Sequence, residues 1–232
     1  MLRDWLGRYP SLFFPAIKLF GSTWARERVV SHNTELVIEG FPRSGNTFAV
    51  VAFELAQGRP VRLAHHQHVP AQIIGGVRKR IPVLVLIRNP VDAVLSLLVL
   101  SPWLTVEYAL RSYYLFHQAT LPYVDGFVIA PFADVTADFG AIIGRLNDKF
   151  GTDYRTFEHS KENLDTCFQI IEARARRFSG TDDVSTVVAS PTAEKDRLKV
   201  RLRDSLEARQ NQGLLNACSQ LYQQFLSLGS HH

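Results

Sequence analysis

Ile81-Pro-Val-Leu-Val-Leu-Ile87 is a run of strand length without one polar side chain. A strand with one solvated face alternates apolar and polar residues. A continuous apolar run instead belongs to a strand covered on both faces, as in a parallel sheet flanked by helices. The neighbouring segments repeat the theme. Glu35-Leu-Val-Ile-Glu39 is short, β-prone and ends at Gly40, and residues 47–57 then read as a largely apolar helix closed by Gly58. Residues 61–64 read as a second strand leading into three histidines. Asn89 and Pro90 supply an N-cap and a first-turn proline for a helix over residues 91–100, stopped by Ser101-Pro102.

Residues 106–121 read as a further helix and residues 127–130 as another buried strand. Phe139, Ile142, Ile143, Leu146 and Phe150 mark a helix that ends at Gly151. The order β-α-β-β-α-α-β-α predicts an α/β fold with a mostly parallel central sheet and helices on both faces. Beyond Gly151 the chain is helical and more charged, with a mobile loop expected over residues 179–191.

With 232 residues the chain can bury a substantial core as one domain. Segment 1–34 reads as an aromatic-rich N-terminal piece on or near that domain, 35–228 as the domain itself, and 229–232 as the start of an affinity tag. A net charge of +4 suits anionic ligands in general without singling out nucleic acid, and none is expected as a partner. Cys167 and Cys218 lie too far apart for a zinc motif and are too few for a disulfide framework. A reducing compartment, the cytoplasm, is the expectation.

No stretch approaches the roughly 18 apolar residues of a membrane helix. The longest uncharged run, residues 93–106, is broken by Pro102. At the N-terminus Pro10, Pro15 and scattered charges interrupt any signal-peptide core. Trp5, Leu12, Phe13, Phe14, Ile17 and Phe20 have two uses there, packing back on the domain or touching a membrane surface.

Residues 40–48, GFPRSGNTF, nearly match the phosphate-cradling pattern of two glycines bracketing four residues before Lys and Ser or Thr. Asn46 takes the place of the lysine, and Arg43 lies inside the loop. The strand before it and the helix after it are the setting a phosphate loop needs, with the backbone N–H groups of Ser44, Gly45, Asn46 and Thr47 at a helix N-terminus. Without the lysine, and with no Walker-B aspartate after a later strand, a magnesium-triphosphate reading is weakened.

In the segment LIRNPVDAVLS, Arg88 ends the buried strand, where open α/β sheets bind ligands, and helical spacing sets Asn89, Asp92 and Ser96 on one face. Arg88 and Ser96 can converge on one phosphate, or be a surface ion pair and a helix hydroxyl.

The two motifs together resemble the sulfotransferases that use 3′-phosphoadenosine 5′-phosphosulfate (PAPS), of a bacterial type. That family has a loop of Pro, Lys or Arg, Ser, Gly, Thr, Thr and an aromatic for the 5′-phosphosulfate. Further along comes Arg, Asp or Asn, Pro and a later Ser for the 3′-phosphate. Here the matching residues are Pro42-Arg43-Ser44-Gly45-Asn46-Thr47-Phe48 and Arg88-Asn89-Pro90-Val91-Asp92-Ala93-Val94-Leu95-Ser96. The resemblance covers residues 35–151. It implies a P-loop NTPase-like sulfotransferase fold and PAPS as co-substrate without a metal. Arg43 would then neutralise the leaving phosphate and Phe48 stack on adenine or serve as a core residue.

The resemblance also implies that His68, in His68-Val69-Pro70, takes the proton of an acceptor hydroxyl or amine, a base role suited to a pKa near about 6.5. His66 is its rival, His65 being expected on the opposite side by alternation. A structural or metal-binding use of the three histidines is the alternative. Phe132-Ala133-Asp134-Val135 lacks the acid that relatives carry after the fourth strand. Lys195 and Arg197 are further candidates for the donor, or the charged start of a solvated helix. The acceptor, whether small molecule, carbohydrate or lipid, is not encoded in any motif. A kinase with a degenerate loop and a non-catalytic binder of adenosine bisphosphate stand as alternatives.

Overall fold

The computed structural model describes residues 5–179 and 193–229; the loop expected at 179–191 falls almost wholly outside them. Four strands, β1 (Leu36–Gly40), β2 (Leu63–His65), β3 (Val83–Ile87) and β4 (Val128–Pro131), form one sheet in the order β2-β1-β3-β4. Every pairing is parallel, with Ile38 opposite His65 and Leu84, and Leu86 opposite Ala130. The apolar run at 81–87 is thus an inner strand, and all five β3 residues are buried.

Alternation along the strands divides the core. Val37, Val83, Val85, Ile87 and Ile129 face one layer, and Leu36, Ile38, Leu84, Leu86 and Val128 face the other. The second layer is filled by helices α3 (Asn46–Ala56), α8 (Phe139–Phe150) and α9 (Lys161–Ser179). On the first lie α4 (Pro70–Arg78), α5 (Pro90–Leu100), α6 (Val106–Thr120), α10 (Ala193–Glu207) and α11 (Gln212–Gly229). Helices α1 (Pro10–Phe20) and α2 (Thr23–Glu27) precede the sheet, and the short α7 (Phe132–Ala137) follows β4.

The expected parallel α/β sheet is therefore present. Helices α1, α2, α4 and α7 were not anticipated. α4 contains Gly75 and Gly76, which lower helix propensity. It forms because Val69-Pro70 starts it and Ala71, Ile73 and Ile74 are buried, Ile73 in the core layer of the sheet and Ala71 against Phe13. α7 is only six residues long and is held by the burial of Val135.

The strand order reverses between β1 and β3, since the chain runs from β1 outward to β2 and returns past β1 to β3. In open parallel sheets the crevice at the carboxyl ends of such strands is where ligands bind. Gly40 lets β1 and β3 close on each other there, since a Cβ on it would lie 2.4 Å from the carbonyl oxygen of Leu86.

Candidate functional site

The loop leaving β1 is turned by two residues with left-handed backbone, Arg43 (φ 70°) and Gly45 (φ 93°), before Asn46 opens α3. Glycine takes that conformation without penalty, whereas an arginine gives up about 1 to 3 kcal/mol. Asn46 is buried, and its amide donates to the carbonyl of Phe41 at 3.2 Å, closing the loop onto the end of β1. The N–H of Ser44 also bonds back to Phe41 (3.2 Å), which leaves Gly45, Asn46 and Thr47 as the outward amides of the first helical turn.

Arg43 and Arg88 meet at the switch point. The Arg43 Nε donates to Ser96 Oγ at 2.9 Å, and an Arg88 terminal nitrogen donates to the Arg43 carbonyl at 2.9 Å. Arg88 also lies over the Phe132 ring, its guanidinium carbon 4.1 Å from the centroid, while the Tyr113 hydroxyl on α6 donates to its carbonyl at 2.7 Å. Ser96 was expected to converge with Arg88; instead it reaches Arg43, so one loop, one strand end and one helix are bonded in series.

Arg28, Arg59, Arg174, Arg176 and Arg203 each have a glutamate partner. Among the described residues, the half-buried Arg43 and Arg88 have none. Burial lowers the pKa of both; for Arg43 the neighbouring Arg88 lowers it further, and for Arg88 the Asp92 carboxylate acts in the opposite sense. Buried polar atoms without a protein partner line the same place: Arg88 Nε, Ser44 Oγ and Asn46 Oδ1. Two guanidinium groups without a salt-bridged acid beside a helix N-terminus form a positive site with hydrogen-bonding capacity left over.

The histidines follow β2. His66 (φ 57°) and His68 (φ 53°) have left-handed backbone, so the segment is coiled, and the alternation expected of an extended strand fails. His65 and His66 consequently touch through their Nδ1 atoms rather than pointing apart. His66 Nε2 lies 3.2 Å from Thr47 Oγ1, tying that hydroxyl to the histidine segment. With burial as the main cause and neighbouring cationic groups adding to it, the pKa of His65 falls to about 3 and that of His66 to about 2.

His68 is held differently. Its Nδ1 lies 2.9 Å from the Gly40 carbonyl, which can only accept, so Nδ1 carries the proton and Nε2 is the basic nitrogen. Glu39 Oε1 lies 3.5 Å from the same Nδ1. This carboxylate is fully buried, with Oε1 accepting from Gly40 N and Oε2 from Gln67 N. Glu39 was read only as the polar end of a strand. Nothing in its own segment marks it, because its partners come from the histidine loop 28 residues on.

Phe48 is half-buried, with the rings of Phe139, Phe157, His159 and Phe168 all 6.2 Å from it. Phe168 is exposed, and the group forms an aromatic edge next to the phosphate-type loop. Arg197 is exposed on α10, and no hydrogen bond among the described residues joins it to Arg43, Arg88 or Ser96. The side chain of Lys195 lies outside the described set. Among the described residues no group of three His, Cys, Asp or Glu is placed to share a metal ion, and no helix is long and apolar enough to cross a membrane.

Comparisons with protein-family models, with curated proteins and with solved structures found no match to this chain.

Proposed function

We propose that this protein is a PAPS-dependent sulfotransferase with a P-loop-like fold, transferring a sulfuryl group to an acceptor hydroxyl or amine. The observation that carries the reading is the meeting of Arg43 and Arg88 at the sheet's switch point, where among the described residues no carboxylate is in salt-bridge contact with either and Asp92 acts on Arg88 only from further off. Half-buried positive charge in excess of the nearby acid calls for an anionic ligand, because burying charge without full compensation is costly. The residues fit the donor. The amides of Gly45 to Thr47 and the Arg43 guanidinium suit its 5′ end, Arg88 with its unused Nε suits the 3′-phosphate, and the Phe48 edge suits adenine.

When bound, the donor supplies a sulfuryl group whose bond to the 5′-phosphate breaks as the acceptor oxygen or nitrogen bonds to sulfur. His68 Nε2 takes the acceptor's proton, and the Gly40 carbonyl and Glu39 hold the ring in the tautomer that leaves Nε2 basic. Arg43, kept in place by Ser96, offsets the negative charge that develops on the leaving phosphate. His66 is the poorer base, since both its nitrogens are engaged and its pKa is pushed to about 2.

Calorimetric titration tests the donor half of this assignment. Arg88→Ala weakens adenosine 3′,5′-bisphosphate by about 1.5 to 3 kcal/mol and adenosine 5′-phosphate much less. Equal loss for both ligands would remove Arg88 from the 3′-phosphate. A broad acceptor panel with radiolabelled donor tests the transfer itself.

A further inference from the structure

Among the described residues, six of the ten exposed large apolar side chains fall between positions 5 and 24: Trp5, Tyr9, Leu12, Leu19, Phe20 and Trp24. Helix α1 explains the arrangement. Phe13, Phe14 and Ile17 turn inward to pack with Val69 and Ala71. Leu12, Ala16 and Leu19 follow one another at helical spacing on the other side, with Phe20 beside them and Tyr9 leading in. Leu19 is 70% exposed and Phe20 87%. A helix that is apolar all round belongs between two apolar media, and only its inner side meets the protein.

The charge around this face is net positive. Residues 5–26 contain Arg8, Lys18 and Arg26 and no aspartate or glutamate, and the exposed Glu27 that follows lies 3.8 Å from Arg28. Lys18 and Arg26 are exposed, and Arg28 stacks over the Trp24 ring at 4.7 Å. The face is also fixed in direction. Ala71 N donates to Gly7 O at 2.7 Å, His65 N to Arg28 O at 3.0 Å, and the Gln72 side chain bridges Arg28 O and Val30 N.

We propose that this outward face docks the protein on an anionic lipid surface, with α1 lying flat in the interface. Its 11 residues are far short of a span. Tryptophan and tyrosine beside lysine and arginine are the mixture an interfacial helix uses: the rings and aliphatic chains enter the headgroup boundary and the cations meet lipid phosphates. A second copy is a poor occupant, because an isologous contact would bring this net basic face against itself. The docking goes beyond the proposed transfer reaction and does not depend on it.

The test is co-sedimentation of the full-length chain with phosphatidylcholine vesicles, with and without phosphatidylserine. The chain partitions onto the anionic vesicles, and added salt weakens the binding. Leu19→Gln combined with Phe20→Ser lowers partitioning at least about tenfold, and Lys18→Glu combined with Arg26→Glu also lowers it about tenfold. Circular dichroism and the response to adenosine 3′,5′-bisphosphate match the parent in both variants, since all four side chains are exposed. Equal partitioning onto neutral and anionic vesicles, or variants that bind like the parent, overturns the proposal. So does light scattering that finds a dimer which either variant dissociates. Because bisphosphate binding is read separately, failure here leaves the donor site standing, and the reverse holds too.

Discussion

The loops after β1 and β3 and the loop after β2 stand side by side at one edge of the sheet, and they treat charge in opposite ways. The first pair brings Arg43 and Arg88 together, half-buried and, among the described residues, with no carboxylate in salt-bridge contact. The second buries a glutamate against His68 and keeps His65 and His66 neutral through burial. On the proposed reading the first place holds an anion, and the second, where a carboxylate lies beside a histidine of fixed tautomer, moves a proton. The left-handed backbone at Arg43, His66 and His68 marks both, with only Arg80 sharing it among the other described non-glycine residues. Strain of about 1 to 3 kcal/mol at each persists because surrounding contacts hold it.

The largest effect should come from separating the two halves. His68→Ala lowers sulfuryl transfer by about 10²-fold or more while the affinity for adenosine 3′,5′-bisphosphate stays near the parent value. Parallel rate and binding measurements check this. A loss of affinity as large as the loss of rate would merge the two regions into one. Full activity in His68→Ala with none in His66→Ala would move the base by two positions.

Glu39→Gln comes next. Its carboxylate accepts two backbone N–H groups, so the substitution costs about 1.5 to 3 kcal/mol in urea unfolding. A purely structural role predicts no more than that. A positioning role also shifts the acid limb of the pH–rate profile to lower pH, because a negative charge near His68 favours its protonated form. An unmoved limb would confine Glu39 to the fold.

Ser96→Ala sharpens the donor side. Removing the partner of Arg43 Nε weakens the bisphosphate by about 0.5 to 1.5 kcal/mol, less than Arg88→Ala, and leaves the pH profile alone. An effect larger than that of Arg88→Ala would make the helix α5 hydroxyl, and not the strand-end arginine, the main holder.

A further effect is on stability in acid. His65 and His66 keep folded-state pKa values of about 3 and about 2 against the ordinary 6.5. The unfolded chain therefore takes up protons between those values that the fold refuses, and stability falls as pH drops below 6.5. The guanidinium groups remain protonated in both states over that range and add no slope. Unfolding at pH 7 and pH 5 should show a smaller loss for His66→Asn than for the parent; equal losses would mean that His66 is not kept neutral.

The sheet was legible because Ile81 to Ile87 cannot be amphipathic, and the strand-loop-helix context located Arg43 and Arg88 from their neighbours alone. Helix α4 was not, because its stability lies in the burial of Ile73 and Ile74 and its two glycines argue against it locally. The geometry of the histidines was lost for a related reason. Alternation assumes extended backbone, and the turn at His66 and His68 is imposed by Glu39 and Gly40 on a different strand. Ser96 was found as a companion of Arg88, but its hydrogen bond to Arg43 was not, since spacing along a chain says nothing about a loop 53 residues earlier.

Thermal unfolding with adenosine 3′,5′-bisphosphate, set against ATP with magnesium, tests the central claim most directly. At 100 times Kd the bisphosphate should stabilise the fold by about 2.7 kcal/mol if it binds only the native state. ATP with magnesium should do far less, because no lysine follows Gly45 to clamp a triphosphate. An unchanged transition with the bisphosphate, or a shift seen only with ATP and magnesium, would contradict the account.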